Sequence, residues 1–104
     1  MFIARVLGNV VTTQKVETMV GRKLLIVDPL LVDVDGGKLD PTGRTFIAVD
    51  SLGAGEHDLV LVTQGSSARM TSETGKAPVD CVVIGIIDSV HARDKAVYRK
   101  GGGA

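Results

Sequence analysis

The chain has no long amphipathic helix in its pattern. Its apolar residues fall in short runs rich in Val, Ile and Leu, cut by glycine, proline and polar clusters. Such runs favour extended backbone, and the breakers hold each to strand length. The stretch from Phe46 to Arg69 is the most informative. Phe46–Val49 reads as a strand, Gly53 and Gly55 as the turn of a tight hairpin, and Asp58–Thr63 as the returning strand. Both glycines can take positive φ, which most residues avoid. The second run ends in Gln64-Gly-Ser-Ser-Ala-Arg69, where Ser66 is placed to cap a short helix running from Ser67 toward Ser72.

The remaining runs extend this picture. Residues 2–12 form a first strand, with Gly8 marking a bulge or sharp bend. Residues 22–28 form a second strand, ended or made an edge by Pro29, which lacks the N–H of a ladder. Val32 to Arg44 holds Gly36-Gly37, Pro41 and Gly43 and reads as an exposed loop or hairpin tip. Val79–Val90 is the longest β run. Its continuous apolar content implies that both faces are covered, or that it bends at Gly85 into another layer. Lys95–Arg99 is a last short strand. The expected fold is all-β: a small closed OB-like β-barrel of about five strands with one short helix. Residues 1–100 form one domain and 101–104 a flexible tail.

Composition narrows the function. Twelve basic and twelve acidic residues balance to a formal net charge of zero, without the basic footprint of a nucleic-acid binder. Phe2, Phe46 and Tyr98 are the only aromatic residues, too few for base-stacking platforms. Cys81 stands alone, so no internal disulfide framework exists. There is no basic start with a following apolar segment, and no run long enough to span a bilayer, so the chain reads as soluble and cytoplasmic. A hydrophobic fraction of 44% with zero net charge favours association. Either part of the surface lies against other chains, or the apolar content is that of an ordinary valine-rich β core.

No motif carries catalytic or metal chemistry. Gly53-Ala-Gly55 follows a strand, but Asp58 stands at the third glycine position of a dinucleotide loop. Gly37-Lys38 and Gly75-Lys76 lack the remainder of a phosphate loop. Asp33-Val-Asp35-Gly-Gly-Lys38 departs from a calcium loop at its fifth and sixth positions. His57, His91 and Cys81 match no zinc spacing. Ser66 and Ser67 lack the flanking glycine of a nucleophile elbow and an identifiable base. No cofactor is implied.

The order of segments resembles the pentameric vertex proteins of bacterial microcompartments, of the carboxysome, ethanolamine-utilisation and propanediol-utilisation types. The residues that carry the likeness span almost the whole chain. They are Arg5-Val-Leu-Gly-Asn-Val-Val-Thr-Thr-Gln-Lys15, Gly21-Arg-Lys-Leu-Leu-Ile-Val27, Ala48-Val-Asp-Ser-Leu-Gly-Ala-Gly55, Leu59-Val-Leu-Val62, Gln64-Gly-Ser-Ser-Ala-Arg69, Pro78-Val-Asp80 and Ile84-Gly-Ile-Ile-Asp88. The family often has a glycine near position 57, where this chain has His57. The resemblance implies a non-enzymatic barrel subunit that forms a homopentamer. That ring caps five-fold vertices of a shell built mainly from hexameric shell proteins, in the bacterial cytoplasm. It contacts neither nucleic acid nor membrane. Gly65, Ser66, Ser67 and Arg69 are the candidates for the subunit boundary or ring axis, with Asp50, Asp80, Asp88 and Lys15 as charged residues there. A planar guanidinium with five donors suits such a boundary. The alternative is an OB-like binding module for single-stranded nucleic acid or a small ligand.

Overall fold

The computed structural model describes residues 1–13, 16–17, 20–65 and 80–101. Among these the chain forms β1 (Phe2–Val10), β2 (Lys23–Asp33), β3 (Lys38–Pro41), β4 (Phe46–Asp50), β5 (Leu59–Gln64), β6 (Cys81–Ile86), β7 (Ser89–Ala92) and β8 (Lys95–Arg99). The order β1-β5-β6-β4-β2 closes on itself because β1 also pairs with β2. The result is a five-stranded barrel, mostly antiparallel, with one parallel pairing between β4 and β6. β3 extends β2 outside the barrel, and β7 with β8 makes a separate two-stranded sheet.

Alternate residues of each barrel strand point inward. Ala4 and Val6, Leu25 and Val27, Ala48, Val60 and Val62, and Cys81 and Val83 form the buried cluster, with Phe2 and Ile86 packed against it. These side chains are mostly small, as the narrow interior of five strands demands. Ala54, which lies on no strand, joins them with no exposed surface.

The bulge anticipated at Gly8 is present: the register steps from Val6↔Val27 to Gly8↔Ile26 and leaves Leu7 unpaired. The long run near Gly85 breaks much as its content suggested. Cys81, Val82 and Val83 are all buried, Ile84 falls out of register against β5, and the chain then leaves the barrel as β7.

Two expectations are corrected. The first concerns Pro29, which does not end β2. It marks an exchange of neighbours instead. Ala4↔Pro29 is the last pair with β1, and Leu30↔Pro41 begins pairing with β3. The missing N–H therefore falls where ladders change over, and the Pro29 carbonyl still accepts the Thr42 N–H at 3.1 Å. Of the two readings offered for Val32 to Arg44, the hairpin holds: β2 and β3 pair, with the tip at Val34–Gly37.

The second correction concerns Gly53–Gly55, which do not turn a hairpin. β4 and β5 are not neighbours, because β6 lies between them. The glycine stretch is a crossover that carries the chain past one barrel strand. Gly53 has φ 86°, while Gly55 does not take positive φ. The helix expected near Ser67–Ser72 lies outside the described residues.

Candidate functional site

The crossover after β4 is built on Asp50. This side chain is 2% exposed. Its Oδ1 accepts the Leu52 N–H at 2.8 Å, and its Oδ2 accepts those of Gly53 at 3.2 Å and Ala54 at 2.7 Å. A carboxylate aimed at successive amides curls the backbone inward and satisfies donors that no strand reaches. Ala54 thereby enters the core, and the Lys23 ammonium donates to its carbonyl at 2.9 Å.

Past Ala54, the Asp58 carboxylate accepts the Gly55 N–H at 2.9 Å. His57 then stands at φ 76°, in the left-handed region. Its N–H donates to the Val6 carbonyl at 2.8 Å and its carbonyl accepts from Arg5 Nη1 at 3.1 Å, so both sides of the strained peptide are pinned to β1. The imidazole itself is exposed, 4.0 Å from the Glu56 carboxylate. This is the position at which the resemblance leads one to expect glycine. His57→Gly should stabilise the subunit by about 0.5–1 kcal/mol, since a left-handed conformation is unfavourable for a residue with Cβ and glycine relieves it at some entropic cost. Urea unfolding checks it, and a destabilised variant would mean that the imidazole holds the turn.

The remaining candidates lie apart from this loop. Gly65, at φ 68°, ends β5, and its N–H donates to the Asp80 carbonyl at 2.8 Å. The two residues that flank 66–79 are thus joined. The Asp80 side chain is exposed beside Cys81, whose thiol is pushed above its ordinary pKa by burial and then by the Asp80 charge. Asp88 is exposed at the base of the β7–β8 hairpin, and its carbonyl accepts the Lys100 N–H at 2.7 Å. Asp50, Asp80 and Asp88 are therefore placed separately. Ser66, Ser67, Arg69 and Lys15 lie outside the described residues.

The sequence reading expected covered faces on the 79–90 run but did not locate the apolar outer surface of the barrel. Since Leu25, Val27, Ala48, Cys81 and Val83 point inward, their neighbours along the strands point outward. Register aligns Val10 with Leu24, Leu24 with Val49, and Val49 with Val82. A second row aligns Gly8 with Ile26 and Ile26 with Ile47. The outer wall over β1, β2, β4 and β6 is therefore apolar, like the inner one. Val49 and Val82 are covered within the subunit, but Ile47 is 50% exposed and Ile84 38%. The signal was in the sequence: Leu24-Leu-Ile-Val27 and Val82-Val-Ile84 do not alternate with polar residues, as a strand with one wet face would.

A small closed barrel with an apolar outer wall describes an assembling subunit. The comparisons with known proteins agree. The family model described as "Ethanolamine utilisation protein EutN/carboxysome" matches residues 1–88. The carboxysome shell vertex protein CcmL of Gloeobacter violaceus is 43% identical over 100 residues, covering 96% of this chain and 95% of its own length. The microcompartment shell vertex protein PduN of Salmonella typhimurium is 44% identical over 92 residues, covering 86% of this chain and 98% of its own.

The solved structure of Gloeobacter violaceus CcmL superposes with a TM-score of 0.83 at 42% identity, over 97% of this chain and 99% of that one. GrpN of Rhodospirillum rubrum, a pentameric microcompartment shell protein, superposes with a TM-score of 0.75 at 39% identity, over 88% and 99%. The chain belongs to the EutN/CcmL family of bacterial microcompartment shell vertex proteins. These are structural shell proteins and not enzymes.

Proposed function

We propose that five copies of this chain close into a ring that caps the five-fold vertices of a microcompartment shell in the bacterial cytoplasm, among hexameric shell tiles. Hexagonal units alone tile a flat layer, and closing it into a polyhedron requires five-fold units. The observation that carries the reading is the outer wall with Leu24, Ile26, Ile47 and Ile84, an apolar surface that a lone subunit would leave against water. The pentameric relative GrpN supports the same stoichiometry.

Cyclic assembly needs two different faces of each subunit to meet. Gly65, Ser66, Ser67 and Arg69 are proposed to lie at the boundary or axis, with Lys15, Asp50, Asp80 and Asp88 as its charged residues. The Asp50 carboxylate already serves its own loop, which leaves Asp80 and Asp88 the better placed for a neighbour. Native mass spectrometry tests the proposal: the wild-type chain should give a dominant five-subunit species, and Arg69→Ala a ring that falls apart at higher concentration. A wild-type chain that stays monomeric or dimeric at all concentrations would sink it.

A further inference from the structure

The β7–β8 hairpin differs from the barrel in connection and in charge. It forms no ladder with the barrel sheet. Arg93 and Asp94 form its two-residue turn, both at positive φ (49° and 62°), and Ala92 pairs with Lys95 across it. The hairpin therefore closes on its own local chemistry. The family model stops at Asp88, the residue before β7. GrpN, a pentameric shell protein matched over 99% of its length, covers 88% of this chain.

The charge of the hairpin is equally distinct. From Ser89 to Lys100 it carries Arg93, Lys95, Arg99 and Lys100 against Asp94 alone. The whole chain is neutral, so residues 1–88 carry an equal acidic excess. Two of the hairpin's cations reach that body within the subunit: Arg93 Nε lies 2.9 Å from Asp35 Oδ1, and Lys100 Nζ 3.8 Å from Asp58 Oδ1. Lys95 and Arg99 are exposed and have no ion-pair partner among the described residues. On the acidic side, the Asp80 and Asp88 carboxylates are likewise exposed and unpaired among the described residues.

We propose that the β7–β8 hairpin is an appended basic clasp whose Lys95 and Arg99 bear on the acidic body of the next copy of this chain. This inference rests on the ring reading above. In a head-to-tail ring each hairpin meets a different face of its neighbour, so a basic appendage on an acidic body attracts the neighbouring copy at every boundary. The clasp does not build the ring. It adds a salt-sensitive contribution to a ring that the barrel wall makes, since exposed charges are screened within about 10 Å at 0.1 M salt.

The test compares wild type, Lys95→Glu/Arg99→Glu and a chain truncated after Asp88, by sedimentation and native mass spectrometry across salt concentrations. At about 50 mM salt both variants should assemble with a midpoint concentration about tenfold above wild type. The three should converge near 0.5 M salt, where the Debye length is only about 4 Å. Circular dichroism of the charge-reversed variant checks that the fold is kept, so the result does not depend on the truncation folding. A wild-type chain that never forms pentamers removes the ring reading itself. A wild-type pentamer with unchanged assembly in the charge-reversed variant overturns the clasp alone.

Discussion

Asp50→Ala is expected to destabilise the subunit by about 3 kcal/mol or more, among the largest effects of any substitution away from the apolar core. The side chain is 2% exposed and accepts three backbone N–H groups, those of Leu52, Gly53 and Ala54. Alanine strips the acceptor from the buried Ala54 N–H and from the half-buried Leu52 and Gly53 N–H groups, and an unsatisfied buried donor costs about 1–3 kcal/mol, more where the lost acceptor is charged. A second loss follows, because the curl those bonds impose helps to hold Ala54 in the core. Asp50→Asn separates the two effects. The amide keeps one acceptor oxygen, so it should retain part of the curl and lose about half as much. Urea unfolding of both variants reads the difference. An Asp50→Ala penalty under about 1 kcal/mol would mean that Gly53 and Ala54 hold the turn unaided.

Asp50 also shows how far the local sequence could be read. An Asp followed by Ser-Leu-Gly is a turn former, because its carboxylate reaches the amides just ahead of it. The strand on either side was legible, but Asp50 itself was read as a boundary charge and not as the residue that builds the turn. The strand order was not legible. A hairpin and a crossover both need an apolar run, a glycine turn and another apolar run, and they differ only in whether a third strand stands between. Here β6, from more than thirty residues along the chain, takes that place. Pro29 misled in a similar way: a missing N–H predicts the end of a ladder, not that another ladder takes over on the same strand. The bulge at Gly8 was readable because its cause is local. His57 was visible as an oddity only against the glycine expected there, and its φ of 76° gives that oddity a backbone cause. As for the candidate site, its charged residues were chosen one by one, while the outer wall emerges only once register aligns Val10, Leu24, Val49 and Val82.

That wall leads to the second large effect. Ile47→Glu should abolish the ring while leaving the subunit folded. In the lone subunit Ile47 is 50% exposed and sits beside Ile26 on the outer face, so a glutamate there can reach water. Surface substitutions of this kind usually change folding stability by no more than about 0.5 kcal/mol. In the ring the same carboxylate would be enclosed by an apolar neighbour with no cation assigned to it. An unpaired charge buried at an interface costs several kcal/mol. Repeated at every boundary, that penalty should raise the assembly midpoint at least about a hundredfold. Ile47→Val, which removes one methylene and adds no charge, should shift it far less. Native mass spectrometry of the three chains, with urea unfolding as the control on the fold, distinguishes the outcomes. A folded Ile47→Glu chain that still forms pentamers at low micromolar concentration would place the subunit boundary elsewhere. The apolar wall would then belong to contacts between the ring and its surrounding tiles.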